Sequence, residues 1–144
     1  MKVITYDFIA EANPQDLLQI IDLYREAGWL GNAPDERVAI AKLIQGSHCF
    51  VTARYSGQIV GMGRALSDRV SDAYIQDVTV RREWRKRGIA RKIVKALVER
   101  LNNDGIGWIG LIAERGTHAL YADLGFSAMP DSTPLLYQSV RTCS

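Results

Sequence analysis

Arg81 to Lys92 reads R-R-E-W-R-K-R-G-I-A-R-K. This basic run with one glycine joins two regular patterns. Tyr74 to Val80 before it is strand-like, and Ile89 to Leu101 after it places Ile89, Ile93, Ala96, Leu97 and Leu101 at helical spacing. The first N–H groups of a helix have no partner inside the helix, and the helix dipole adds partial positive charge there. A basic turn opening a helix is therefore suited to binding a phosphate or another anion. Gly88 lets the backbone approach a ligand, and Ala90 is small enough to permit the same. The run is not a P-loop, because no Gly-Lys-Ser/Thr follows. Nor is it a dinucleotide fingerprint, which needs three glycines. A solvated helix start that binds nothing has the same local sequence, so the run alone leaves both readings open.

The elements around the turn define an α/β chain. The 144 residues suit one domain with a real core, and 47% of them are hydrophobic. Val3 to Ile9 reads as a strand. Asn13 and Pro14 are the N-cap and first position of a helix with Leu17, Ile20, Ile21, Tyr24 and Ala27 inward, ended by Gly28. Trp29 to Pro34 is an aromatic-tipped loop. Asp35 caps a second helix with Val38, Ile40, Ala41 and Ile44 inward. His48 to Tyr55 and Gln58 to Leu66 form a hairpin, in which Gly61 and Gly63 signal a bulge or a close backbone approach. After the basic turn and its helix come a strand from Trp108, a short helix over Thr117 to Asp123, and final strands at Phe126 to Ala128 and Leu135 to Val140. The order predicts one domain over residues 1–144 with a mixed sheet.

Charge and cysteines narrow the setting. The net charge is +2, so the whole chain is no polyanion binder, but from Arg81 to Arg100 the acids number only Glu83 and Glu99. That local excess points to an anionic ligand rather than bulk nucleic acid. Cys49 and Cys143 offer neither a disulfide framework nor metal spacing. The N-terminus turns polar too soon for a signal peptide, and no apolar run approaches the ~18 residues that span a membrane. A cytoplasmic protein without metal, membrane or nucleic-acid partner is expected.

Two separated motifs then carry a resemblance. Arg85, Gly88 and Ala90 fit Q/R-x-x-G-x-G/A after a strand, which resembles motif A of the GNAT superfamily of N-acetyltransferases. Tyr121-Ala122-Asp123-Leu124-Gly125-Phe126 is similar to the family's motif B ending, where a Tyr precedes x-x-x-Gly-Phe. Glu114 and Thr117 depart from the Asn and Ala of many members. The resemblance is to small single-domain members of bacterial type. It implies the acyl-CoA N-acyltransferase fold: a mixed, mostly antiparallel central sheet of six to seven strands with helices on both faces.

It also implies the ligands. The pyrophosphate of acetyl-CoA would sit on Arg85, Lys86, Arg87, Gly88, Ile89, Ala90 and Arg91, and Val78, Thr79 and Val80 would guide the pantetheine arm as an added strand does. A backbone N–H near Val78 would donate to the oxyanion. Tyr121 is the candidate acid for the leaving thiolate, since a phenol (pKa ~10) can share its proton with a thiolate (~8.5). Asp77 is the candidate base or ammonium holder. Strand alternation puts it on one face with Thr79, opposite Gln76 and Val78; a structural hydrogen-bonding role fits it equally. Gln76 cannot serve as a base, and His48 and His118 are the only histidines. Trp29 offers a flat apolar or cation–π surface to the acceptor, and Asp68, Asp72 and Asp77 favour a cationic one. Gly28-Trp29 and the Ala65 to Asp77 segments look like bacterial and plant-type members that include arylalkylamine acetyltransferases. The expected partner is a small primary amine. Protein or peptide acetylation, a non-catalytic acyl-CoA sensor and nucleic-acid binding are the alternatives. A homodimer through the C-terminal strand is expected.

Overall fold

The computed structural model describes residues 3–31 and 35–138. The chain forms two compact units, Met1–Leu111 and Ile112–Ser144. The first holds a five-stranded sheet in the order β1 (Thr5–Ile9), β2 (Cys49–Tyr55), β3 (Gln58–Ser67), β4 (Asp72–Val80), β5 (Trp108–Leu111). The first three pairings are antiparallel, and β5 joins β4 in parallel. The mixed, mostly antiparallel sheet is as expected, with five strands among the described residues instead of six or seven.

Helix α1 (Pro14–Glu26) begins as its residues dictate: the Asn13 side chain accepts from Asp16 N at 2.8 Å, and Pro14 occupies the first turn. Gly28 leaves it at φ +80°, a conformation that favours glycine. Helix α2 (Glu36–Gly46) starts at Asp35, whose side chain accepts from Val38 N. Ile40 and Ile44 are buried, whereas Val38 is 49% exposed, contrary to expectation. Two residues turn a helix by about 200°, which carries Val38 to the face opposite Ile40.

Three ties hold α1 against the sheet. The Arg54 guanidinium donates two bonds to the Asp16 carboxylate, at 2.9 and 2.8 Å. Ile59 N donates to Gln19 Oε1 at 2.7 Å. Ile20, Leu23, Tyr24, Ile40 and Ile44 pack with Phe50 and Met62 in one apolar cluster.

The opposite sheet face takes α3 (Ile89–Asn103), which buries Ile89, Ile93, Val94, Leu97 and Leu101. Its seat depends on the two glycines of β3. A Cβ on Gly61 would lie 3.1 Å from Ile93 Cδ1, and one on Gly63 would lie 2.7 Å from Ile93 Cγ2 and 3.2 Å from both Leu97 and Val78 side chains. Met62, between them, points into the α1–α2 cluster. Helices thus cover both faces.

In the second unit α4 (His118–Ala122) is one short helix, followed by Gly125 at φ +94°. The Tyr121 and Phe126 rings meet edge to face, with centroids 6.1 Å apart. Phe126 to Ala128 and residues 135–138 form no strand, contrary to expectation; 139–140 lie outside the described residues, as does Cys143. A strand needs a ladder partner for its backbone groups. Leu135, Leu136 and Tyr137, at 91%, 80% and 90% exposed, have neither a ladder nor a core to face.

Gly63→Ala is expected to destabilise the fold by about 1–3 kcal/mol, because Ile93 and Leu97 are fully buried and must shift. Urea unfolding measures this, and unchanged stability would remove the close-approach argument. A second outcome concerns pH. Burial, the dominant cause, raises the Cys49 thiol from 9.0 to about 11. A raised pKa means stability is complete below the unfolded value and lost as pH climbs toward the folded one. Between about pH 9 and 11 the protein should lose on the order of 2–3 kcal/mol from this group. Cys49→Ala should flatten that part of the alkaline curve; an identical curve would count against it.

Candidate functional site

The site begins where β4 runs out. Its pairing with β5 spans Asp72↔Trp108 to Ile75↔Leu111 and stops there. Gln76 to Val80 therefore have no strand on that side among the described residues, while Thr79 and Val80 stay paired with Met62 and Gly61 of β3. Between these two regions the register slips. Met62 faces Thr79 but Arg64 faces Gln76, so β4 carries one extra residue, and Asp77 sits there at φ +57°. This is a β-bulge with its extra residue in the left-handed region, which Asp tolerates better than most side chains.

The bulge changes the expected alternation. Directly opposed residues share a face, so Gln76 lies on the Arg64 face, and Asp77 reaches the same side to bond Arg64. Gln76 and Asp77 therefore share a face, and the expected pairing of Gln76 with Val78 is overturned. Val78 lies on the opposite side, where its side chain and those of Ile93 and Leu97 surround the place of a Gly63 Cβ.

The Asp77 carboxylate is held firmly. Tyr24 Oη and Arg64 Nε each donate to Oδ2 at 2.7 Å, and Arg64 Nη1 also reaches Ser47 Oγ at 3.4 Å. Oδ1 takes no hydrogen bond among the described residues. The Asp77 side chain is 22% exposed. Burial first, and then the Asp77 charge, push the Tyr24 phenol far above its usual range. It donates and does not ionise. The edge of Trp29 meets the Tyr24 ring at 6.2 Å and 65°, with 46% of Trp29 exposed. Trp29, Tyr24, Asp77 and Arg64 thus line one side of β4; Asn32, Ala33 and Pro34 lie outside the described residues.

Tyr24 and Arg64 escaped the sequence reading. Tyr24 counted as one member of an apolar stripe, and Arg64 as part of a strand. The available signal was Arg64 itself: a guanidinium in G-M-G-R-A-L, among buried residues, requires an anionic partner.

Other acids are occupied or apart. Asp68 closes its own loop, accepting from the N–H groups of Val70, Ser71 and Asp72 and from the Ser71 hydroxyl. Those bonds hold its carboxyl well below the usual range. Asp68 is therefore a loop clasp rather than a free acceptor contact. Asp72 lines a shallow hollow of about 300 Å³ with Leu66, Tyr74 and Trp108. The register places these on the Arg64 face of the sheet. His48 is locked, with Nδ1 2.5 Å from Ser67 Oγ and Nε2 2.8 Å from Asp104 Oδ2. Tyr121 is half-buried; burial raises its phenol above the ordinary value, partly opposed by Thr117.

The basic turn is built from β4 outward. Arg81 N donates to Val60 O at 2.8 Å, and Arg81 Nε to Ile59 O at 2.9 Å. Glu26, at the end of α1, accepts from Arg82 N at 2.7 Å. A single 3-10 turn, Arg82–Trp84, follows. Arg85 Nε donates to Val80 O at 3.0 Å, so this side chain braces the turn. Arg87 lies 4.7 Å over the Trp84 ring, itself against Tyr55. Lys86 at φ +63° and Gly88 at φ +79° turn the chain into α3. Gly88 is the N-cap with no side-chain cap. Among the described residues, none of the N–H groups from Lys86 to Arg91 donates within the protein. Ile89 is buried and anchors the helix start, while open space lies where a Gly88 Cβ would stand. Six free donors, a helix start and exposed Lys86, Arg87 and Arg91 make an anion cradle. No group of three or more metal-binding side chains occurs among the described residues.

Comparison with known proteins bears on this arrangement. The chain is 38% identical over 74 residues to the GCN5-related N-acetyltransferase 2, chloroplastic, of Arabidopsis thaliana, covering 51% of this chain and 29% of that protein. It is 34% identical over 77 residues to serotonin N-acetyltransferase 2, chloroplastic, of Oryza sativa subsp. japonica, covering 54% and 38%. The chain spans about a third of the length of the first curated relatives it matches. Its fold matches an aminoglycoside acetyltransferase from an uncultured soil metagenomic sample, solved with sisomicin. The TM-score is 0.74 at 20% identity, over 96% of this chain and 97% of that one. The model of the acetyltransferase (GNAT) family matches residues 15–126, which include the cradle, the bulge and Tyr121. The chain belongs to the GNAT acetyltransferase family.

Proposed function

We propose that the protein is an acetyl-CoA-dependent N-acetyltransferase that acetylates the primary amine of a small molecule, an arylalkylamine or another cationic amine. The observation that carries this is the cradle of free N–H groups from Lys86 to Arg91, continuous with the unpaired edge of β4. Its free donors fit a pyrophosphate, and the open edge at Val78 to Val80 fits an amide-bearing arm that pairs as a strand. Acetyl-CoA supplies the thioester. In direct attack, the amine nitrogen adds to the thioester carbonyl, the C–S bond breaks, and the nitrogen loses a proton while the sulfur gains one.

The residues divide this work. A backbone N–H at the bulge donates to the oxyanion. Tyr121, whose raised pKa keeps it protonated at neutral pH, is the acid for the departing sulfur. Asp77 presents Oδ1 to the incoming ammonium and Trp29 presents its ring. Holding both substrates in one geometry supplies much of the rate. In this scheme both units act as one acetyltransferase domain of the bacterial and plant type, in a reducing, cytoplasmic setting. The exposed Leu135, Leu136 and Tyr137 support a homodimer. The serotonin and sisomicin names attached to its relatives fit an amine acceptor. The open hollow along the Arg64 face favours a second reading, a peptide lysine as acceptor.

Free thiol release with acetyl-CoA and a panel of amines and lysine peptides tests the assignment. Turnover of small amines is expected; peptide-only turnover would select the second reading, and acetyl-CoA binding without any turnover would leave a sensor. Gly88→Glu should abolish CoA binding in calorimetry, since it puts a carboxylate in the cradle and a side chain at φ +79°. Normal binding would place the cofactor elsewhere. Tyr121→Phe should lower kcat tenfold or more with little change in CoA affinity. Undiminished kcat would remove the acid.

A further inference from the structure

Asp77 is not an isolated carboxylate. Two donors from different elements, Tyr24 of α1 and Arg64 of β3, converge on one of its oxygens, and among the described residues no hydrogen bond reaches the other, on a side chain that is 22% exposed. A side chain that only stabilised a bulge would gain most by sharing its donors between both oxygens. Placing both on Oδ2 fixes the plane and rotamer of the carboxylate and reserves the lone pairs of Oδ1. Arg64 is itself fixed, by the Ser47 hydroxyl and by burial of its side chain to 12% exposure. Tyr24 is fixed by the apolar cluster around it and is 3% exposed. Its phenol stays a donor at every physiological pH.

We propose that Tyr24 and Arg64 are positioning residues that aim Asp77 Oδ1 at the acceptor amine, and that Tyr24 couples this carboxylate to the Trp29 wall of the acceptor site. The inference rests on the proposed acetyl transfer and assigns residues that the sequence motifs do not contain. Trp29 touches the ring whose hydroxyl holds Asp77. An amine seated on Trp29 therefore meets a carboxylate held by the tyrosine whose ring Trp29 packs against. A primary ammonium can donate to Oδ1; transfer of that proton to the carboxylate, which returns it to solvent, leaves the nitrogen lone pair free to attack.

The test is a double-mutant cycle on the full chain with an amine that the wild-type protein acetylates. Tyr24→Phe removes one hydroxyl from a ring that keeps its packing. It is expected to lower kcat/KM for the amine about tenfold while the KM for acetyl-CoA stays within about twofold. Asp77→Asn, which retains tolerance of the left-handed backbone, is expected to lose more. In the Asp77→Asn background, Tyr24→Phe should then cost little further. Arg64→Lys should keep part of the activity that Arg64→Met loses, since it retains a cationic donor. Thermal unfolding of each variant separates misfolded proteins, and the Tyr24 and Asp77 substitutions suffice if the Arg64 variants fail to fold. Full additivity of Tyr24→Phe and Asp77→Asn would overturn the proposal, as would an equal rise in the KM for acetyl-CoA. Wild-type protein that acetylates no amine would instead sink the acetyltransferase assignment, and the positioning role with it. Active wild type with an unchanged Tyr24→Phe variant would sink the positioning role alone.

Discussion

The approach of α3 to β3 is the contact from which the site follows. A helix whose first turn must present its backbone N–H groups at one point needs a fixed height and direction. Gly61 and Gly63 give it both by letting Ile93 and Leu97 lie directly on the strand. Any side chain there would raise the helix and move the cradle away from the end of β4. Val78 shares the space over Gly63 with the Ile93 and Leu97 side chains. One packing event therefore sets the turn of free N–H groups and the strand edge beside it together.

β4 serves two neighbours that make opposite demands. β3 requires a ladder along its length, while the site requires a free edge. The bulge at Asp77 reconciles them by restoring register with β3 at Thr79 while β5 has already ended its pairing at Ile75. The left-handed backbone of Asp77 costs some free energy. Two hydrogen bonds to its side chain offset that cost and fix the residue where strand and site meet.

Local signals in the sequence described most of this accurately. The caps at Asn13 and Asp35, the glycine exit at Gly28 and the stripe of α3 are set by interactions within a turn or two, so composition reveals them. Gly61 and Gly63 announced a close approach, though not which helix would make it. The cradle was legible because its chemistry is backbone chemistry in one continuous run. Gly63 signalled a bulge as well, but its place in β4 was not legible, since a register slip arises from pairing with another strand and leaves no mark on Gln76-Asp77-Val78. The partners of Asp77 were hidden for the same reason: Tyr24 lies 53 residues away. The two C-terminal strands failed because apolar alternation shows that a segment can pair and supplies no partner to pair with.

Helix α1 emerges as the element that joins the two halves of the site. Its start is tied to β2 through Asp16 and Arg54, and its middle to β3 through Gln19. Its last turns reach both ligand regions. Tyr24 bonds Asp77 at the bulge, and Glu26, two residues later, accepts from Arg82 at the entry to the cradle. Two residues turn a helix by about 200°, so these side chains point in nearly opposite directions from one rigid rod. A shift of α1 along the sheet would disturb the Asp77 carboxylate and the Lys86–Arg91 turn at once. The contact that orients Asp77 and the contact at the entry to the Lys86–Arg91 turn therefore cannot drift independently; for the proposed acetyl transfer, which holds two substrates in one geometry, that coupling is an advantage.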